Sequence, residues 1–443
     1  MRRDRKSQNN VKRVAIIGAD FSPSSLPPAT RIRFFASHLP EFGWEPIIIT
    51  TSPKHYETSV DPENEQLLPQ HLWVVRTPAL PAAWTRKVGI GDLGIRSLWF
   101  QWQALKQICR EQKIDLILIP VPPYVSMILG RLAHRKFGVP YLIDYIDPWV
   151  TESYWNLPKS RRPPKWPLAD ALSRTVEPFA LRRAAGIVGV SKGTTDSVVQ
   201  RHPWLKAGIE IPYGAELGDF DYVRQHPRNN EIFKADNYVH LSSVGAYTET
   251  MREPLLALFE GFRSGLEKTP EVFARVRLHF VGTSYSSNGR NPYRVAAVAR
   301  DAGVERYVHE HPMRISYLDS LQLMLDSDGL ILLGSNEPHY TASKAFPYIL
   351  AKKPLLGIFH EDSSVVSIVR DVGDTEVLTF GPGREPMLCA DKIRKRLEQM
   401  LTADQHESAA DWKTFEKYSA KAMTQRLVGV MNAAVGQRGD SSQ

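Results

Sequence analysis

The sequence predicts an α/β protein with two doubly wound parallel sheets, in two domains that face each other across a cleft. Three observations support this fold class. Short apolar runs alternate with amphipathic helical patterns, the alternation stops once near residues 216–235, and it then starts again. Alternating strands and helices form parallel sheets that helices cover on both faces. A chain of 443 residues is also long enough for two hydrophobic cores.

The first domain is predicted to cover residues 1–215. Residues 11–19 form a largely apolar strand, a helical pattern fills residues 29–41, and Gly43 separates it from a strand at residues 45–50. A strand, a helix and a strand with glycine at the turn are typical of a βαβ unit. The later elements continue this alternation: helix 96–112, strand 115–119, helix 125–137, strand 141–143, helix 172–184 and strand 186–190.

The polar stretch 216–235 is interpreted as a hinge, and residues 236–408 are predicted to form the second domain. Residues 409–443 are predicted to hold a helix, 412–431, that packs back across the cleft, and a disordered tail from residue 436. The predicted elements of the second domain are strand 239–244, helix 253–263, strand 276–281, helix 292–302, strand 308–309, helix 316–327, strand 329–333, helix 346–352, strand 355–358, helix 363–372 and helix 390–401.

The composition argues against a membrane-spanning, a disulfide-rich and a zinc-binding protein. Apolar residues make up 42% and charged residues 23% of the chain, as in ordinary soluble proteins. No uncharged apolar run of about 18 residues occurs, so no transmembrane helix is expected. Cys109 and Cys389 alone cannot form a disulfide framework and lack metal-ligand spacing, so the sequence favours a cytoplasmic protein without a zinc site.

The formal net charge of +8 favours an anionic partner. Nucleic acid, an anionic membrane surface and phosphorylated small molecules are all eligible. Nucleic acid is the weakest of the three, because no zinc-finger spacing, basic heptad region or aromatic-rich strand pair is present. We therefore predict no nucleic-acid partner.

Two carboxylates follow the predicted strand 141–143. Asp144 and Asp147 stand at its end, and Pro148 stops it. Ligands of open parallel sheets bind beyond the carboxyl ends of the strands, so both residues are candidates for contact with a polar ligand. The alternative is that they only cap a helix or a turn.

The loop after the first strand carries several hydroxyl groups. Ser24 and Ser25 are its candidates for contact with substrate, although the loop could equally be a compact connector. It lacks the Gly-x-Gly-x-x-Gly pattern of dinucleotide-binding folds, and no Gly-x4-Gly-Lys-Ser/Thr sequence occurs in the chain. A nicotinamide dehydrogenase and a P-loop enzyme are therefore disfavoured.

The second domain contains two candidate anion sites. Gly245 opens a loop between a strand and a helix, and Arg252 lies at the start of that helix, where the helix dipole favours a phosphate. In the second site, Ser343 can cap a helix and Lys344 can reach a diphosphate. Pro347 is tolerated only in a first helical turn, so it places the helix start close to Lys344.

One segment of the first domain mixes aromatic with cationic residues. Such a basic amphipathic helix with tryptophan suits an anionic bilayer surface. The alternative is a helix that packs on its own sheet and has a solvated outer face. The residues concerned are Trp84, Arg86, Lys87, Arg96, Trp99, Phe100, Trp102, Lys106 and Arg110.

In this order the motifs resemble the GT-B glycosyltransferases, specifically the retaining family-4-like group, over nearly the whole chain. Ser343-Lys344 followed by Pro354 is similar to that family's Ser-Lys-x-x-Glu-Tyr-x-Ala-x-x-Lys-Pro pattern. The other similar segments are Arg31-Ile-Arg33 with residues 39–49, residues 140–149, residues 177–191 and Pro212-Tyr-Gly214.

The resemblance implies two Rossmann-like domains and a glycosyltransferase that uses a nucleotide-diphosphate sugar as donor. It implies that Gly245, Arg252, Ser343 and Lys344 bind the donor, with no metal or cofactor. Asp147 would face the reacting sugar or the acceptor hydroxyl in a positioning or base role. Transfer would proceed with retention, onto a polysaccharide or lipid-linked glycan, in the cytoplasm or at the inner face of the plasma membrane.

Asp144, Ser24 and Ser25 are further candidates for substrate binding. His339 is another, because it lies in the loop before Lys344, and Glu337 lies in the same loop.

The sequence departs from the family pattern at the position that usually grips the ribose. The family's glutamate is Pro347 here, and His339 stands eight positions earlier. Glu337 or Glu361 could substitute for the missing carboxylate. Ala246 and Ile146 replace two arginines of the pattern.

These departures motivate a second hypothesis, a catalytically silent relative that binds nucleotide-sugar or glycan as a regulator or scaffold. A sugar-nucleotide epimerase is a third, but it would need an acid/base carboxylate pair with a histidine, which we cannot assemble.

Overall fold

A computed structural model of the protein describes residues 11–57, 60–150, 166–205, 208–284, 294–337, 342–373, 377–402 and 411–440. The chain forms two compact units. Met1–Tyr213 and Ala420–Gln443 make up unit 1, and Gly214–Ser419 makes up unit 2.

Unit 1 contains a parallel sheet with strand order β3-β2-β1-β4-β5-β6-β7 among its described residues. The middle strands are almost wholly apolar and buried, as expected of strands that are covered on both faces. The direction of winding reverses between β1 and β4. The strands are β1 (Lys12–Ile17), β2 (Trp44–Thr51), β3 (Trp73–Thr77), β4 (Leu116–Val121), β5 (Tyr141–Tyr145), β6 (Gly186–Gly189) and β7 (Gly208–Glu210).

Helices cover both faces of this sheet. One buried cluster joins Leu105 of α3 and Leu129 of α4 to the strands, and a second joins Ile32 of α1 to Met423 and Leu427 of α16 on the opposite face. The C-terminal helix therefore belongs to unit 1. The helices of unit 1 are α1 (Pro27–His38), α2 (Ala82–Thr85), α3 (Leu93–Glu111), α4 (Met127–Phe137), α5 (Trp166–Leu181), α6 (Lys192–Arg201) and α16 (Ala420–Asp440).

Unit 2 contains a second parallel sheet, with strand order β10-β9-β8-β11-β12-β13 among its described residues. Winding reverses here between β8 and β11, and α8 and α14 pack on one face through a common apolar cluster. Its strands are β8 (Val239–Val244), β9 (Val276–Val281), β10 (Val308–His311), β11 (Gly329–Leu333), β12 (Leu355–His360) and β13 (Val377–Phe380). Its helices are α7 (Leu217–Gln225), α8 (Arg252–Lys268), α9 (Pro270–Phe273), α10 (Arg294–Asp301), α11 (Tyr317–Asp326), α12 (Ala345–Leu350), α13 (Ser364–Val372), α14 (Ala390–Thr402) and α15 (Trp412–Phe415).

Two parallel, doubly wound sheets confirm the predicted fold class. Edge strands β3, β7 and β13 are absent from the predicted elements, because they are only five, three and four residues long. The helix predicted at residues 412–431 is interrupted instead. Ser419 is extended, and the N–H of Ala215 donates to the carbonyl of Tyr418 at 3.2 Å, so the chain breaks between α15 and α16.

The predicted disordered tail is wrong for residues 436–440, which continue α16, while residues 441–443 lie outside the described part. Val435 packs against the core of unit 1, which supports the helix close to its end.

None of the described helices is both long and apolar enough to cross a lipid bilayer.

Candidate functional site

The carboxyl ends of β8 and β11 lie side by side in unit 2, at the reversal point of its sheet. In open α/β sheets this is where ligands bind. The loops after the two strands are joined: the N–H of Asn336 donates to the carbonyl of Thr250 at 2.9 Å, and its side-chain amide donates to Glu253 at 3.0 Å. The two predicted anion loops of the second domain therefore form one surface.

Gly245 begins the first of these loops in a conformation that only glycine adopts easily. Its φ is +149°, and no atom lies within 4 Å of the position that a Cβ would take. Its N–H donates to the carbonyl of Val281 at 2.9 Å, which fixes the loop to β9. The open space above Gly245 lets a ligand group approach the backbone closely.

Lys344 stands at the start of α12 in the second loop. Burial, together with the charge of Arg314, lowers the pKa of its ammonium from 10.5 to about 8. Among the described residues no carboxylate pairs with this ammonium. A lysine without a carboxylate partner in the described part of the chain, next to a second cation, forms a site for an anion.

Tyr348 joins the two halves of this surface. It is buried on α12, its hydroxyl accepts the N–H of Val244 at 2.5 Å, and it donates to the carbonyl of Val244 at 3.3 Å. Burial raises the pKa of Tyr348 well above its ordinary value, so the hydroxyl stays protonated. Because Val244 precedes Gly245, this contact holds the Gly245 loop in register with the helix that carries Lys344.

In unit 1, Asp144 belongs to a buried ion pair. Both of its carboxylate oxygens accept from Arg31, at 2.7 and 2.9 Å, and neither side chain is exposed. The same guanidinium donates to the carbonyls of Ile211 and Pro212 at 2.9 and 3.0 Å. A charge that is paired and hydrogen-bonded in this way ties α1, β5 and residues 211–212 together.

Asp147 lies in a bend just beyond the same strand, and it is exposed. The hydroxyl of Tyr124 donates to the carbonyls of Asp147 and Pro148, at 3.2 and 3.3 Å. The ring of Tyr124 stacks on Trp149 with the centroids 5.1 Å apart. The backbone around Asp147 is thus held in place, while the residue as a whole is exposed.

Comparisons with known proteins agree with this architecture. Residues 28–213 match the family described as glycosyl transferase 4-like domain. HepE of Anabaena, solved with UDP and glucose, is 14% identical with a TM-score of 0.59, and the match covers 95% of this chain and 100% of HepE. The UDP-forming α,α-trehalose-phosphate synthase of Burkholderia vietnamiensis is 10% identical with a TM-score of 0.60, over 96% of this chain and 98% of that one. Among curated proteins, none matches the chain in sequence.

Residues 28–213 carry a glycosyl transferase 4-like domain, and the chain as a whole has the GT-B fold. A glycosyltransferase from Rickettsia africae has the same fold, at 13% identity, a TM-score of 0.54 and 98% coverage of both chains. At these identities the solved structures establish the fold of this chain, and its ligands have to be argued from its own residues.

Of the predicted donor-binding residues, the structure brings the loops of Gly245 and Lys344 together. Arg252 begins α8, as predicted, but its side chain is 40% exposed and pairs with Asp301 at 3.4 Å. The cation next to Lys344 is Arg314 instead. Sequence reasoning missed Arg314, although it lies three residues beyond the end of β10.

For the other residues of the Lys344 loop, the structure confirms one prediction and contradicts another. The predicted cap by Ser343 is wrong, because Lys344 itself is the N-cap residue and no side chain caps α12. Pro347 does lie in the first turn of α12, as predicted. Glu337 is exposed, with its N–H bonded to Ser335, and His339 lies outside the described residues.

Two predicted acceptor contacts in unit 1 need correction. Asp144 has no exposed surface and both its oxygens are occupied, so it cannot contact a ligand in this conformation. Ser24 is buried and donates to Asp20 at 2.7 Å, while Ser25 is partly exposed. Asp20 was not predicted; burial raises the pKa of its carboxyl, and it follows β1 at the reversal point of the sheet.

No group of three or more histidine, cysteine or acidic side chains among the described residues has the geometry to hold a metal ion.

Proposed function

We propose that this glycosyltransferase moves a sugar from a nucleotide-diphosphate donor to a polysaccharide or lipid-linked glycan, with retention at the anomeric carbon. Unit 2 would bind the donor, and unit 1 would bind the acceptor. One observation carries the donor half of the proposal: Lys344 and Arg314 lie close together, and Lys344 has no carboxylate partner in the described part of the chain. A diphosphate would supply the missing negative charge.

The two cations would act on the leaving group. The bond between the anomeric carbon and the diphosphate oxygen breaks, and the electron pair stays on the diphosphate. Lys344 and Arg314 would stabilise this growing charge, which is the electrostatic form of catalysis. Gly245 would let a phosphate oxygen approach the backbone. The proposal includes no cofactor: the nucleotide-sugar that supplies the transferred sugar is a substrate of the reaction.

Asp147 is the proposed residue for the acceptor. Asp147 is an exposed residue on a fixed backbone, and its carboxylate would accept a hydrogen bond from the acceptor hydroxyl and orient it. The acceptor oxygen forms the new bond, and its proton leaves to the carboxylate or to the departing phosphate. Ser25 is the second proposed acceptor contact, since it is partly exposed in the loop after β1.

A uridine nucleotide is the first donor to test. HepE was solved with UDP-glucose, and a trehalose-6-phosphate synthase from E. coli with UDP-2-fluoro glucose. Pro347 offers no acceptor for a ribose hydroxyl, so Glu337 or Glu361 is proposed for that contact; both are exposed, and Glu361 lies at the carboxyl end of β12. A sugar acceptor on a lipid carrier would place the enzyme in the cytoplasm, at the inner face of the membrane.

The experiment measures binding and turnover separately. Binding of UDP and UDP-sugars is followed by the shift in melting temperature, and transfer or hydrolysis by release of UDP. Lys344→Met and Arg314→Met should each weaken UDP binding about 10- to 100-fold, since a charge-assisted hydrogen bond contributes about 1.5–3 kcal/mol. Lys353→Met is the matched control, because Lys353 follows α12 without contributing to the site.

Asp147→Asn should lower the release of UDP while its binding stays unchanged. Unchanged binding by both cation variants would refute the donor site. Binding of UDP-sugars without turnover over a broad panel of acceptors would instead favour the catalytically silent relative.

A further inference from the structure

Unit 1 exposes large apolar side chains in the segment that runs from the end of β3 into the first turns of α3. Trp84 is 71% exposed, Val88 74% and Trp99 65%, and Leu80 is also exposed. Tryptophan is normally well buried in folded proteins. Four exposed apolar side chains in 20 residues of sequence, 80–99, need a reason beyond the folding of unit 1.

Contacts hold this segment next to the first turns of α3. Arg96 donates to the carbonyl of Leu80 at 2.9 Å, and the N–H of Leu80 donates to the carbonyl of Arg96 at 3.0 Å. Glu57 accepts from Arg96 at 2.9 Å and from Arg86 at 2.8 Å. The segment with the exposed side chains is therefore anchored beside the first turns of α3, and Trp99 is exposed on the next turn of that helix.

The outer face of α3 continues this surface with cations. Trp99, Lys106 and Arg110 lie along one side of α3, and Trp102 borders that side, half-buried and partly packed against the core cluster that contains Leu105. The ammonium of Lys106 lies 5.7 Å from the ring centres of both Trp99 and Trp102. We call residues 80–90 together with these four residues of α3 the aromatic–basic surface.

The charge on this surface is suited to an anionic partner. Lys87 and Arg110 are exposed, and neither forms an ion pair with another described residue. Glu57 pairs with two arginines, and Asp92 caps α3 by accepting the N–H of Ile95. Glu111, the exposed carboxylate next to Arg110, accepts from Gln107 at 2.9 Å. The whole chain carries a net charge of +8, so long-range attraction acts in the same direction.

We propose that the aromatic–basic surface binds the headgroup region of an anionic lipid bilayer. Indole rings prefer this interface, where an apolar body and a polar N–H are both satisfied, and cations beside them attract anionic lipids. Exposed Trp84, Val88 and Trp99 would insert at the level of the headgroups, and Lys87, Lys106 and Arg110 would face the phosphates. This inference rests on the proposed function only in so far as a lipid-linked acceptor explains why the enzyme binds a membrane.

The test is cosedimentation of the full-length protein with vesicles. Vesicles of phosphatidylcholine containing phosphatidylglycerol should bind the protein, and vesicles of phosphatidylcholine alone should bind it at least about tenfold less. High salt should weaken binding to the anionic vesicles, because screening removes the attraction between exposed charges. Equal binding to both kinds of vesicle, or no binding to either, would overturn the proposal.

Matched variants separate the aromatic and basic contributions. The double variant Trp84→Ser/Trp99→Ser should lose about tenfold or more in binding to anionic vesicles, while Trp204→Ser, which alters another exposed tryptophan of unit 1, should bind normally. If the double variant binds as tightly as the wild type, the surface is not the contact.

Charge reversal gives an independent readout. Lys87→Glu/Arg110→Glu should lose binding about tenfold or more, and Arg182→Glu/Arg183→Glu, which reverses two exposed arginines after α5, should lose markedly less. Equal losses in both double variants would show only a general effect of net charge, and would overturn the assignment to this surface.

The melting-temperature shift with UDP should be unchanged in all of these variants. Loss of vesicle binding with an intact UDP response would support the membrane surface. Loss of the UDP response in the Lys344→Met variant tests the donor site and not the membrane surface.

Discussion

Replacing Lys344 by methionine should make the protein more stable while it removes the donor site. The folded state holds the pKa of Lys344 at about 8, below the ordinary 10.5 of an unfolded chain. At about 1.4 kcal/mol per pKa unit, the charged ammonium therefore costs about 3 kcal/mol in the folded protein near neutral pH. Methionine keeps most of the volume and removes the charge, so Lys344→Met should recover a large part of this free energy.

The pH dependence follows from the direction of the pKa shift. Above pH 10.5 the lysine is neutral in both states and contributes no electrostatic cost. Between pH 10.5 and about 8 only the unfolded state takes up the proton, so the wild type loses stability as the pH falls. Below about pH 8 both states are protonated and the loss is complete. The advantage of Lys344→Met should thus be largest at neutral pH and disappear in alkali.

The assay is the melting temperature of wild type, Lys344→Met and Lys353→Met at several pH values, each with and without UDP. UDP should stabilise the wild type, by about 2.7 kcal/mol at a concentration 100-fold above its Kd, and should have little effect on Lys344→Met. A Lys344→Met protein that is less stable than wild type at neutral pH, and that still responds fully to UDP, would refute the reasoning.

Three further predictions concern the framework around the sites. Gly245→Ala should cost about 1–3 kcal/mol of stability and abolish the UDP response, whereas Gly303→Ala, at φ +72° and equally open, should cost similar stability and keep the response. Arg31→Met should cost about 3–5 kcal/mol in thermal unfolding by leaving Asp144 buried and unpaired; an equal loss in Arg31→Met/Asp144→Leu would contradict this. Burial lowers the pKa of His279 from 6.5 to about 3, so the wild type should lose stability as the pH falls from 6.5, by about 5 kcal/mol at most. A His279→Leu protein that is equally sensitive to acid would show that this side chain is not responsible.

Sequence patterns were sufficient for the central strands and the order of the main helices. Buried parallel strands such as β4 consist almost only of apolar residues, and long amphipathic helices such as α8 repeat their apolar positions every turn. Edge strands β3 and β7 carry no such signal, because one side of each strand has no neighbour in the sheet. The break in the helix before α16 could not be predicted from the sequence either, because it depends on a main-chain hydrogen bond to Ala215, over 200 residues away in sequence.

Local sequence patterns alone identified Gly245, Lys344 and Asp147 as candidates: Gly245 and Asp147 come just after strands, and Lys344 stands at the start of a helix. Tertiary structure decided which charges meet. Asp144 and Asp147 are three residues apart and read alike in the sequence, but one is buried against Arg31 and the other is exposed. Arg252 and Arg314 both lie just beyond strands, yet only Arg314 comes close enough to Lys344 to shift its pKa. Sequence fixes the residue types at the end of each strand, whereas electrostatic interactions depend on distances between side chains that only the folded chain sets.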